Sequence, residues 1–172
     1  NGTIMNVTVV NNTGNVTLSL GAGKYYANAT FINENYTAKI TNAAFEVYRA
    51  VNNVVVSVES VTYGNASVIV VTADADGVYK VNVNGTAVNV TVNNHKGAAS
   101  LPLGVGKYYA DASYYNGNYS TKFTNAVFEV YKAVNNVRVS VDNVVYGNLA
   151  VINVYADVDG VYTVDVNGTV RD

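Results

Sequence analysis

The sequence predicts an all-β fold, a tandem array of β-sandwich repeats of 83 residues. Three observations carry this expectation. Shifted by 83 residues, the chain aligns with itself without a gap, and 55 of the 89 overlapping positions are identical. Apolar and polar residues alternate almost throughout, which is the period of a strand and not of a helix. Turn signals recur at the spacing expected between short sandwich strands. A gapless period of this length exceeds any helical or leucine-rich solenoid unit and suits one small β-domain used repeatedly.

The complete unit begins at Val51. Val54–Val58 (VVVSV) is the first expected strand, followed by a kink at Val61-Thr62-Tyr63-Gly64. Ala66–Ala73 and Val78–Val83 are the second and third. Asn84-Gly85 is the strongest hairpin signal in the chain, because both residues accept positive φ. Ala87–Val92 follows, then a loop, NNHKG, then Ala99–Leu103. Lys107–Tyr115 and Lys122–Tyr131 close the unit. Residues 1–50 then correspond to the back half of a unit (strand C′ onward), 51–133 to a whole one, and 134–172 to a front half (strands A to C).

The two copies also reveal the buried face. Val70 becomes Asn153 and Thr72 becomes Tyr155, while Ile69, Val71 and Ala73 recur as Ile152, Val154 and Ala156. Lys80 and Asn82 become Thr163 and Asp165, while Tyr79, Val81 and Val83 recur unchanged. A face that accepts polar exchange is wet, and one that refuses it is core.

Composition excludes several function classes. At 172 residues and 49% apolar content, the chain has enough apolar mass for real cores and is not of the disordered class. Its net charge of −2 and the absence of a basic run argue against a nucleic-acid partner. It has no Cys, hence no disulfide, thiolate metal site or Cys nucleophile. No apolar run is long enough to span a bilayer as a helix, so no membrane contact is expected from this segment. Because the chain starts and stops in mid-repeat, it is expected to be cut from something longer, with any targeting or anchoring segment elsewhere.

Leu103-x-x-Gly106-x-Tyr108 recurs as Leu20-x-x-Gly23-x-Tyr25. This is the spacing of a tyrosine corner, in which a Tyr near the start of strand F sends its hydroxyl back to the chain upstream. Ala110 and Ala27 stand where an antibody domain would carry Cys. The unit therefore resembles a Cys-free immunoglobulin-like domain. Four motifs in order narrow the resemblance: VYG, GVYxVxVNGT, LGxGKYYAxA and NYxxKxTNAxFEVYxA. Together they make the chain similar to the bacterial Ig-like (group 3) repeats of adhesin-like surface proteins from methanogenic archaea. The resemblance implies an extracellular, cell-surface stalk and offers no catalytic residues.

Eleven Asn-x-Ser/Thr sequons make glycosylation an expectation, at Asn1, Asn6, Asn11, Asn15, Asn28, Asn35, Asn65, Asn84, Asn89, Asn118 and Asn167. Alternating strands with Asn and Thr on the wet face would also generate such spacings. Asp74-x-Asp76-Gly77 recurs as Asp157-x-Asp159-Gly160. Paired carboxylates beside a Gly turn suggest Ca²⁺, but a cage needs more oxygen ligands, and a polar loop closed by an Asp-Gly turn is the plainer reading. No cofactor is therefore expected. Tyr109, Tyr114, Tyr115 and Tyr119 cluster with Asn116 near one end, a composition suited to sugar or protein contact or to packing between units. Lys24, Lys39, Lys107 and Lys122 could join Asn in a covalent cross-link, but that needs a buried acid, and Glu46 and Glu129 read as outward-facing. The single His95 has no partner for a metal or a triad. No nucleophile elbow, phosphate loop or metalloprotease motif occurs, and an enzyme is not expected.

The expected function is a structural extracellular stalk or fibre segment. Half-units leave bare core faces, so completion of one chain's front half by the next chain's back half is expected, giving a head-to-tail array of self-contacts. The junction Tyr131-Lys132-Ala133-Val134 lacks Gly and Pro, which predicts a stiff rod of roughly 35–45 Å per unit. The alternative is a carbohydrate- or protein-binding module that uses the Tyr-rich loop end and gains avidity from repetition.

Overall fold

The computed structural model describes residues 2–166. Among them every regular element is a strand. The central part of the chain supplies nine. These are β3 (Ala50–Val58), β4 (Val61–Thr62), β5 (Ser67–Ala73), β6 (Gly77–Val83), β7 (Thr86–Val92), β8 (Lys96–Leu101), β9 (Gly106–Ser113), β10 (Tyr119–Thr124) and β11 (Ala126–Tyr131). They form two sheets, ordered β10-β3-β5-β8 and β4-β11-β9-β6-β7.

The sheets share one core, so they pack as a sandwich. Val54, Val56, Ile69 and Val71 enter it from the first sheet, and Tyr79, Val81, Val83, Val90, Ala110 and Phe128 from the second. Alternation along each strand produces this arrangement: Val68 and Thr72 face solvent while Ser67, Ile69, Val71 and Ala73 are buried. Lys80 and Asn82 likewise face out between Tyr79, Val81 and Val83. The face that refuses polar exchange between the copies is thus the buried one.

Two details depart from the sequence reading. NNHKG is no loop: Asn94 and His95 sit at φ 50° and 67°, making a two-residue turn that lets β8 start at Lys96 instead of Ala99. Lys122–Tyr131 is not one strand either. It breaks at Asn125, with β10 running parallel to β3 in the first sheet and β11 pairing β9 in the second. β3 and β4 divide between the sheets in the same way, and β4 runs parallel to β11. The same sheet change on both outer strands ties the sandwich along its open side.

The flanking segments repeat only part of this pattern. β1 (Gly23–Ala27) pairs antiparallel with β2 (Ala43–Val47), and β12 (Val137–Val141) with β13 (Ile152–Ala156). These pairs sit at the 83-residue shift from β9/β11 and from β3/β5. Only pairs with both strands in one segment form. Core positions are correspondingly bare: Phe128 is 3% exposed and its counterpart Phe45 45%, and Val56 is 3% against 53% for Val139.

Candidate functional site

The end of the sandwich that holds the expected ligand and metal residues is organised by a buried polar cluster that sequence reasoning missed. Asn52 and Tyr79 are both fully buried. Asn52 Nδ2 donates to the Tyr79 hydroxyl at 2.9 Å, and that hydroxyl donates to the Ala75 carbonyl at 2.7 Å. Asn52 Oδ1 accepts the Ala75 N–H at 3.0 Å, closing the ring of partners. Burial pushes the Tyr79 phenol above its ordinary range. The available signal was the recurring Val-Asn-Asn at 51–53 and 134–136, and Asn135, Tyr162 and Val158 repeat the cluster.

The acidic residues serve the backbone. Asp74 accepts the Asn53 N–H at 2.9 Å and its side-chain amide at 2.7 Å, and these bonds lower its pKa. Asp76 accepts the N–H groups of His95 and Asn94 at 2.9 and 3.0 Å, which lower its pKa as well. That carboxylate braces the left-handed turn before β8. Asp157 repeats the role of Asp74 on Asn136, with the same downward shift. Asp159 lies exposed in the corresponding front-half loop. Among the described residues no three His, Asp or Glu side chains converge as a metal site. His95 adds a ring contact, Nδ1 lying 3.1 Å from the Ala73 carbonyl.

The tyrosines divide by environment. Tyr114 stacks on Tyr79 with ring centroids 4.3 Å apart and sends its hydroxyl to the Asp76 carbonyl at 3.3 Å. Asn116 is half-buried and donates to that hydroxyl at 3.3 Å. Tyr119 is half-buried at the start of β10. Tyr109 is exposed on the outer face of β9, and its N–H donates to Asn84 Oδ1 at 3.0 Å. Tyr115 stands in solvent at 93% exposure. An open depression of about 310 Å³ lies between Val78, Lys80, Asn89, Ser113, Tyr114 and Tyr115. Tyr114 and Tyr115 line it, whereas Tyr109, Asn116 and Tyr119 do not.

Tyr108 donates its hydroxyl to the Gly104 carbonyl at 2.9 Å, and Tyr25 donates to Gly21 at 2.8 Å. Each ring stacks on the Phe across its ribbon, Phe128 and Phe45 respectively.

The sequons divide into free and engaged. Asn6, Asn11, Asn15, Asn28, Asn35, Asn65 and Asn89 are exposed. Asn84 is held on both amide atoms, accepting from Tyr109 N–H and donating to the Lys107 carbonyl at 3.2 Å. Asn118 Oδ1 accepts the N–H of Ala22 at 2.8 Å, linking the central sandwich to the flanking segment before it. Asn1 and Asn167 lie outside the described residues.

Lys24 and Lys107 lie on outward strand positions opposite Glu46 and Glu129. No protein-family model, curated protein or solved structure matches this chain.

Proposed function

We propose that this chain is a structural, non-catalytic segment of an extracellular stalk or fibre, of the kind that adhesin-like cell-surface proteins carry. Its units are immunoglobulin-like repeats of 83 residues, and its half-units are completed by complementary halves of another repeat, which for the isolated chain is a neighbouring copy's. One observation supports this most: core residues covered in the middle unit recur uncovered on both sides of it, as Phe45 and Val139 do. The middle unit covers them with its own other half, so the cover that fits is another repeat of the same kind. Such a contact joins two different surfaces, and it propagates into a filament wherever its rotation does not close a ring.

The Tyr-rich loop adds support. A binding platform needs several exposed rings side by side, whereas within this loop Tyr114 and Tyr119 are half-buried and Tyr115 alone is fully exposed. The acidic residues already hold backbone N–H groups, which supports a loop that needs no Ca²⁺.

Negative-stain electron microscopy across a concentration series tests the proposal. Beaded filaments that lengthen with concentration are expected. Discrete particles of one size at every concentration overturn it.

A further inference from the structure

We propose that the Gly104-Val105 bend is a docking site for Asn35 of a second copy of this chain. The contact sets the angle between successive units; it rests on the head-to-tail completion described above.

The template is inside the chain. Asn118 reaches the preceding segment through its side chain, whose Oδ1 accepts the Ala22 N–H at 2.8 Å, while its carbonyl accepts the Ala50 N–H at 2.9 Å at the start of β3. It is presented by an Asx turn, its own N–H donating to Asn116 Oδ1 at 3.0 Å. The receiving bend is held by Tyr25, whose hydroxyl donates to the Gly21 carbonyl. The fit is close, since a Cβ on Gly21 would lie 2.8 Å from Asn118 Oδ1 and would push that side chain aside. Recognition runs through backbone and a missing Cβ, so it does not depend on whether residue 22 or its counterpart 105 is Ala or Val.

Both halves of this joint are built a second time. Asn35 sits in the same Asx turn, its N–H donating to Asn33 Oδ1 at 2.9 Å, and its side chain is exposed. Gly104-Val105 forms the same bend, held by Tyr108 as Gly21 is held by Tyr25. A Cβ on Gly104 would meet only the Tyr108 hydroxyl, at 3.9 Å, and Val105 is 49% exposed. The register extends the match. Tyr119–Thr124 lies parallel to Ala50–Val55, so Tyr36–Thr41 of the second copy takes the place beside Ala133–Arg138 of the first. Asn35 then arrives at Gly104 as Asn118 arrives at Gly21.

The absence of native Cys makes disulfide trapping a clean test. A Cβ on Gly21 would lie 3.7 Å from Asn118 Cγ, the position a cysteine Sγ would take, so a modest shift brings the pair into cross-linking reach. The double variant Gly21→Cys/Asn118→Cys is expected to close within one chain. The double variant Gly104→Cys/Asn35→Cys is expected to give a covalent ladder in steps of 18.3 kDa, well above an off-register control, Asn35→Cys/Thr91→Cys. Failure of the first pair to close overturns the joint itself. Wild-type filaments without a ladder above the control overturn the docking site and leave head-to-tail completion standing. A wild-type chain that stays monomeric in sedimentation at every concentration overturns both. Asn35→Ala leaves the sheet contacts in place, so filaments should persist with a broader spread of unit-to-unit angles. An unchanged spread overturns the proposal.

Discussion

Asn52 donates from Nδ2 to the Tyr79 hydroxyl at 2.9 Å, beside a core cluster of aliphatic and aromatic side chains. A buried polar pair of this kind is tolerated only when every member is satisfied, and here Ala75 completes the set. The same set forms around Asn135 and Tyr162, where the sandwich is incomplete. It therefore forms without a closed sandwich around it, and it places the loop before β6.

Tyr79→Phe removes one hydroxyl and strands the Asn52 amide and the Ala75 carbonyl. The expected loss is about 1–3 kcal/mol, read from urea unfolding of the middle unit. An unchanged midpoint would show that water replaces the hydroxyl.

Ser67 is fully buried, and its Oγ has no hydrogen-bond partner among the described residues. The other copy carries Ala150 at this position. Ser67→Ala is expected to stabilise the middle unit by about 1 kcal/mol, because it removes a desolvated hydroxyl. A lower unfolding midpoint in urea would contradict this.

Phe128→Ala and Phe45→Ala make the same chemical change in two settings. The first opens a cavity in a closed core and should cost about 3–5 kcal/mol. The second should leave the middle unit's melting unchanged while shortening filaments in sedimentation. Equal effects on melting would mean the two segments do not differ in cover.

Acid stability should follow Asp74 and Asp76. Both carboxyls are held below the ordinary 3.8 in the folded state by the hydrogen bonds they accept. Their contribution is present above that value and is lost as pH falls through the lower folded pKa. Urea midpoints measured across the acid range should decline on this limb, and Asp74→Asn/Asp76→Asn should flatten it. A double variant with the same acid limb as wild type would assign the decline to other groups.

If the chain is N-glycosylated, glycopeptide mass spectrometry should find occupancy on the middle unit at Asn65 and Asn89, whose side chains face solvent. Asn84 and Asn118 should be bare, because β9 and the preceding unit hold their amides. A glycan on Asn118 in a folded chain would mean the joint opens.

Much of the fold was legible in the residues. Alternation assigned Ile69, Val71, Tyr79 and Val81 to the core because a strand's side-chain period is fixed at two. Asn84-Gly85 announced its hairpin, and both residues take positive φ. The turn at Asn94-His95 was not legible, because the group that braces it, Asp76, lies 18 residues upstream of Asn94. Nor was the break at Asn125, since which sheet a strand joins depends on partners distant in sequence.

The candidate site was less legible still. Tyr114 and Tyr115 are neighbours of one type, yet one stacks in the core and the other stands in water. The tetrapeptide Asn-Val-Thr-Val makes the limit plain. At 89–92 it lies in β7, and at 6–9 it forms no strand. By itself the sequence determined the repeat, the strand period and the buried face, all of which depend on neighbours along the chain. Only the tertiary structure decided which segments become strands and which apolar residues are covered. A β-ladder supplies its hydrogen bonds and its dry face from a second strand, and at 6–9 that strand is not paired.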